Sequence, residues 1–356
     1  MNVEELFTTM VEQRASHIHL VPGSPIMMRR NNRLEPMGGH ILSPDETRVA
    51  AEAMMTEVLL EEFYENMETD FSFSVPGLSR FRINCFRQRG SVAVVISTNP
   101  PAPPRMEELN LPDVVKKIVA ESGSGGMIMI TGPKSSGKAH TLAALVSNLL
   151  EYQQCQIVSI ENPIDFLHKN RRGVICQREI GTDCLSYESA FKSLLYQGAD
   201  IVVVTGVDEF FVVDRVLNMA AGGNLVLCTA NSPSALVLLE KMVDMYPPHL
   251  HQQARTLLSV GLRACISQTL LPRASGDGLI PAFEVCLGTP QVASLIREGK
   301  FFQIGSVMAT SGREVGMSSQ EMALRALVKK NMVTEEEAYR RALSPEAFRK
   351  MMSLPY

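Results

Sequence analysis

The sequence predicts an α/β protein in two parts: a smaller α+β domain, then a larger domain on a mainly parallel sheet. Three observations carry this. A glycine loop of phosphate-binding type lies between an apolar run and an Ala/Leu-rich helical pattern, at Met127-Ile-Met-Ile-Thr-Gly-Pro-Lys-Ser-Ser-Gly-Lys-Ala-His-Thr-Leu142. Beyond it, continuously apolar runs alternate with helical stretches, the pattern of parallel strands covered on both faces. Ahead of it, Thr98-Asn-Pro-Pro-Ala-Pro-Pro-Arg105 is proline-rich, and prolines stiffen a chain into an extended spacer, so a domain boundary falls there.

Taken in order, residues 2–14 read as a helix with Val3, Leu6, Phe7, Met10 and Val11 on one face. Ser16–Val21 alternates as a strand, and His17 and His19 share one of its faces, as part of a polar sheet face or as a metal pair. Pro25–Leu34 reads as two short strands around an Asn31-Asn32 turn. Ser43-Pro-Asp-Glu46 caps a helix predicted to run to about Tyr64. Strands follow at 71–75, 79–89 and 90–97, which completes the first domain at 1–97. After the linker, 98–112, a helix starts at Leu111-Pro-Asp113 and runs to about Ser122, where Gly123-Ser-Gly-Gly126 breaks it. In the second domain, 113–288, strands are predicted at 156–161, 201–205, 224–229, 265–271 and 282–287. Residues 289–356 read as helices at 291–298, 302–310, 319–329, 334–343 and 345–352.

Composition narrows the function classes. A net charge of −4 gives no electrostatic pull toward nucleic acid. No apolar run approaches the ~20 residues of a membrane span. The acidic, amphipathic start does not fit a secretory signal. The seven cysteines are scattered, odd in number and without a C-x-x-C pair, so they read as reduced, mostly buried thiols of a cytosolic protein, and no metal site is assigned.

The glycine loop defines the candidate binding site: Gly132, Pro133, Lys134, Ser135, Ser136, Gly137, Lys138, Ala139 and His140. Backbone N–H groups of such a loop cradle a phosphate chain, the lysine reaches the outer phosphates, and the following helix adds its positive end. One position departs from the motif. The residue after the lysine is Ser or Thr in a P-loop, where its hydroxyl binds Mg²⁺; here it is Ala139, and a methyl group cannot ligate a hard cation.

Several motifs together give a family likeness that spans almost the whole chain: Ala15-Ser-His-Ile-His-Leu20, Glu68-Thr-Asp-Phe71, Arg80-Phe-Arg-Ile-Asn84, the P-loop, Ile160-Glu-Asn-Pro-Ile-Asp-Phe166, Gln177-Arg-Glu-Ile180, Ile266-Ser-Gln-Thr-Leu-Leu271 and Leu295-Ile-Arg-Glu298. The sequence resembles the type IV pilus retraction ATPases of PilT/PilU type, within the secretion ATPase superfamily. The resemblance implies a PAS-like N-terminal domain and a RecA-like P-loop domain. It also implies a hexameric ring with ATP between the domains, at the cytoplasmic base of the pilus machine, beside the inner membrane and its platform protein.

The site motifs depart from the family pattern at several places. His140 stands where Thr is usual. In the acidic box Glu161 remains, with Asn162 for Asp and Asp165 for Glu. The Walker B strand ends Val204-Thr205-Gly206 in place of Gly-Glu. The histidine box reads Thr229-Ala-Asn-Ser232, with Asn231 for His. Ser97 and Tyr196 stand where arginines are expected. The metal hydroxyl, the carboxylate and the histidine serve one job, so their losses act together. Glu161 is the surviving candidate for positioning water. The expectation is a family member that binds ATP weakly or not at all, with Mg²⁺ in doubt and hydrolysis strongly impaired, in a homo-hexamer or a hetero-hexamer with a paralogous pilus ATPase. The alternative is an active ATPase in which Asp208 and Glu209 compensate.

Overall fold

The computed structural model describes residues 3–13, 15–30, 33–75, 77–98, 102–121, 125–276 and 278–353. The expected Asn31-Asn32 turn, residues 99–101 of the proline-rich stretch and the break at 122–124 lie outside them. The chain divides into two compact units, 1–102 with 163–167, and 103–162 with 168–356.

In the first unit, β1 (His17–Leu20), β2 (Pro25–Arg30), β3 (Arg33–Ile41), β4 (Glu68–Val75), β5 (Ser79–Gln88) and β6 (Ser91–Thr98) form one sheet in the order β3-β2-β1-β6-β5-β4. All its neighbours are antiparallel, with Ile18 of β1 paired to Met28 and Ile96. Helix α1 (Val3–Glu12) buries Leu6, Phe7 and Met10. Phe7 stacks on Phe73 at 5.3 Å and lies 4.3 Å from Phe81, so the helix is anchored to β4 and β5 by aromatic contact. The helix expected over 43–64 is two helices, α2 (Pro44–Glu52) and α3 (Glu57–Asn66). The physical reason is a second cap: the Thr56 hydroxyl accepts the Leu59 N–H, as the Ser43 hydroxyl accepts that of Glu46. Strand β3 also runs seven residues beyond the expected end at Leu34, paired to β2 through Pro36. Pro36 gives a strand no donor; it is tolerated because β3 is an edge.

The second unit begins with α4 (Asp113–Ala120) and β7 (Gly126–Thr131), followed by α5 (Lys138–Tyr152), β8 (Gln156–Glu161) and β9 (Val174–Glu179). Then come α6 (Tyr187–Leu194), β10 (Ile201–Val204), α7 (Phe210–Ala221), β11 (Leu225–Thr229), α8 (Ala235–Asp244) and α9 (His251–Gly261). The hairpin β12 (Leu262–Pro272) and β13 (Leu279–Leu287) closes a sheet ordered β13-β12-β7-β11-β10-β8-β9. Every neighbouring pair is parallel except β12–β13. Met127–Ile130 and Ile201–Val204 are buried on both faces, as the apolar runs predict. Strand β9 had no such signal: its burial alternates on a sheet edge, so its sequence, VICQRE, is only half apolar.

Helices α10 (Pro290–Arg297) and α11 (Phe301–Ala309) join the main core through Val292, Ile296 and Ile304. Helices α12 (Gln320–Lys329), α13 (Glu335–Arg341) and α14 (Pro345–Ser353) share a small core with Leu271 and Ile280 of the hairpin. A buried polar link ties them to it: Gln320 Nε2 donates to Thr269 Oγ1 at 2.8 Å, and its Oε1 accepts the Leu343 N–H at 3.0 Å.

Candidate nucleotide site

The parallel register aligns the carboxyl ends of β7, β11, β10 and β8, where an open α/β sheet presents its binding crevice. Four loops leave this edge. They carry Gly132, Ala230, Thr205 and Asn162.

Strand β12 shapes the glycine loop from beside β7. A Cβ on Gly132 would lie 2.3 Å from the Gln268 carbonyl oxygen, and one on Gly137 2.8 Å from Gln268 Nε2. Both glycines also hold left-handed backbone, φ +147° and +86°. The Gln268 side chain is fixed in turn, since Thr141 Oγ1 donates to its Oε1 at 2.6 Å in the core. Gln268 belongs to the motif at 266–271, which by itself gives it no role. The available signal was a polar residue inside an apolar strand, which must find a partner. Within the loop, Pro133, Lys134 and Ser135 are exposed, while Ser136 is buried and its hydroxyl has no hydrogen-bond partner. Gly137 caps α5 without a side-chain bond, so no side chain closes the start of the helix. Lys138 Nζ donates to the carbonyls of Gly132 at 2.9 Å and Pro133 at 2.8 Å. Burial lowers its pKa, and the charge of Asp208 opposes that shift. Ala139 and His140 follow, both half-buried. These groups suit an anion: N–H donors, an unpartnered hydroxyl and a lysine.

The positions where the family motifs place a hydroxyl, a carboxylate and a histidine are built differently. Thr141 turns into the core, as its position two residues past Ala139 requires. Gly206 has φ +69°, and a Cβ there would meet the Tyr187 hydroxyl at 3.2 Å. That hydroxyl donates to the Thr205 carbonyl at 2.7 Å; burial is the main cause that pushes its pKa up to about 12. Thr205 Oγ1 accepts the Asn162 N–H at 3.0 Å, and Thr229 Oγ1 accepts the Gly206 N–H at 3.4 Å. Asp208 is clamped. It accepts Asn231 Nδ2 at 3.0 Å, the Asn231 N–H at 3.4 Å and Lys241 Nζ at 3.4 Å. Glu209 stands exposed just before α7. Tyr187 and Lys241 went unnoticed in the sequence because nothing local marks either one.

Glu161 is buried at the end of β8, with Oε1 accepting Ser159 Oγ at 2.6 Å and Gln177 Nε2 at 3.0 Å. Three strand spacings, about 14 Å, separate β8 from β7. Elsewhere, the His17 and His19 rings stack 6.2 Å apart. Among the described residues no cluster of three or more His, Cys, Asp or Glu is placed to hold a metal. In the Arg80-Phe-Arg-Ile-Asn84 motif, Arg82 pairs with Asp70 and Arg80 donates to Ser74 at 3.2 Å; Tyr196, where an arginine is expected, is 90% exposed.

Glu284 of β13 is a buried acid that the sequence did not mark. Its Oε2 accepts the Ala235 N–H at 2.8 Å, which pins the start of α8 just after the Asn231 loop. Burial raises its pKa to about 7, against the hydrogen bond and with help from Glu321. A raised folded value means stability that is complete below about 4.5 and is lost as pH rises through about 7. The contribution is on the order of 3 kcal/mol. Glu284→Gln keeps the acceptor and removes the titration. Urea unfolding from pH 4.5 to 7 should therefore fall less steeply for the variant; parallel profiles would contradict the assignment.

The fold and the glycine loop define a P-loop ATPase domain of RecA-like type, preceded by an α+β domain. The family described as type II/IV secretion system protein matches residues 104–338. The type IV pilus retraction ATPase PilT of Pseudomonas aeruginosa is 34% identical over 348 residues, covering 98% of this chain and 100% of PilT. The type IV pilus ATPase PilU of the same organism is 33% identical over 354 residues, covering 99% and 92%. A crystal structure of the pilus retraction motor PilT with bound ADP superposes with a TM-score of 0.89 at 30% identity, covering 99% of this chain and 100% of that one. The chain belongs to the PilT/PilU family of twitching-motility ATPases, within the type II/IV secretion ATPases.

Proposed function

We propose that this chain is a nucleotide-binding accessory ring subunit of a type IV pilus machine, with strongly impaired ATP hydrolysis. The observation that carries it is the pairing of Ala139 with Gly206. One offers a methyl where the motif has a hydroxyl; the other is a left-handed glycine against Tyr187 where the motif has a carboxylate. Phosphoryl transfer needs both for its metal and for its attacking water. What survives is the binding half: Gly132, Pro133, Lys134, Ser135, Ser136, Gly137 and Lys138, with Ala139 and His140 opening α5. ATP or ADP is the ligand this loop suits, as the ADP of the PilT crystal structure supports. The subunit would share a hexamer with an active paralogue, next to the inner-membrane platform protein, at the cytoplasmic face. Among the described residues no helix is long and apolar enough to cross a membrane.

One observation favours the rival reading of an active motor: the charge of Asp208 bears on Lys138. Its three donors, however, hold it to Asn231 and Lys241. The test is turnover with Mg-ATP. The purified chain is expected to run at least ~10²-fold below an intact paralogue, the usual cost of one lost acid–base group. Turnover within that range that Lys138→Ala abolishes would overturn the proposal.

A further inference from the structure

We infer that the glycine loop takes its nucleotide free of divalent cation, the phosphate charge being met by Lys138 and the N-terminus of α5. This rests on the nucleotide-binding reading above. Mg²⁺ demands near-octahedral oxygen ligands at about 2.1 Å and keeps several waters, so the protein must supply at least one well-placed oxygen. Along this edge most side-chain oxygens already carry hydrogen bonds, while Glu209 is exposed before the start of α7. Thr141 donates to Gln268, Thr205 accepts from Asn162, Thr229 accepts from Gly206, and Asp208 takes three bonds from Asn231 and Lys241. Glu161 is held by Ser159 and Gln177 on a strand about 14 Å away from β7.

Two further features work against a cation. Lys241 places a positive charge on Asp208, the carboxylate whose charge bears on Lys138, where a divalent ion would compete with it. Ser136 has a hydroxyl with no partner, but it lies inside the loop, 2.5 Å from where a Gly132 Cβ would stand, and before the lysine. There it serves as a donor to phosphate. The residues of this chain therefore fit a nucleoside di- or triphosphate and do not fit the metal that usually accompanies it.

Calorimetric titration of the full chain with ADP tests this, once with Mg²⁺ and once with excess EDTA. Affinity no tighter with Mg²⁺ than with EDTA is expected, and weaker where Mg²⁺ sequesters the free ADP; tightening by Mg²⁺ of about tenfold or more overturns the inference. Absence of binding in both buffers removes the nucleotide-binding reading itself, a different result. Ala139→Ser supplies the missing hydroxyl and should tighten ADP several-fold with Mg²⁺ and not with EDTA. A variant indifferent to Mg²⁺ would show that the methyl is not what excludes the ion.

Discussion

Returning the three lost side chains by Ala139→Ser, Gly206→Glu and Asn231→His is expected to leave ATP turnover near its starting level. Adding Tyr187→Phe is expected to raise it by about 10²-fold, the scale of a recovered catalytic group. The reason lies in the backbone at Gly206. With φ +69°, a side chain there costs about 1–2 kcal/mol, and its Cβ would sit 3.2 Å from the Tyr187 hydroxyl. That hydroxyl also holds the Thr205 carbonyl at 2.7 Å, fixing the turn in the left-handed form that only glycine adopts freely. Phenylalanine keeps the ring and deletes the oxygen. Steady-state rates of the triple and quadruple variants decide the matter. A fully active triple variant would mean that the turn relaxes unaided; an inert quadruple variant would mean that the fault lies elsewhere.

The second large effect is on stability. Gly132→Ala is expected to cost about 3 kcal/mol, because its Cβ meets a backbone oxygen at 2.3 Å and no flexible atom can yield. For a unit of this size the unfolding temperature should fall by roughly 6–12 °C. Gly181→Ala in the same unit is the control: φ is +86°, yet nothing lies within 4 Å of its Cβ, so the cost should stay near about 1 kcal/mol. Thermal unfolding of both variants, followed by circular dichroism, separates crowding from backbone strain. Similar losses in the two would discard the crowding argument.

The parts that were legible in the sequence are those where burial forces a pattern. Met127–Ile130 and Ile201–Val204 lie in the core and read as strands because nothing polar is admitted there. The loop was legible because glycine at 132 and 137 meets a need that no other residue meets. What escaped was long-range. Tyr187 is 19 residues from Gly206, and Lys241 is 33 from Asp208; in each case the sequence shows a residue and not its partner. The break between α2 and α3 escaped for a local reason: one threonine outweighed a helical periodicity that ran on through Met54 and Met55.

Strand β12 is gripped from its two faces at consecutive residues. Gln268 braces the phosphate loop through Thr141 and Gly137, and Thr269 holds the terminal helices through Gln320. A load applied to those helices would be delivered one residue from the brace. Such a strand would act as a crossbar, passing a displacement of the terminal helices on to the glycine loop.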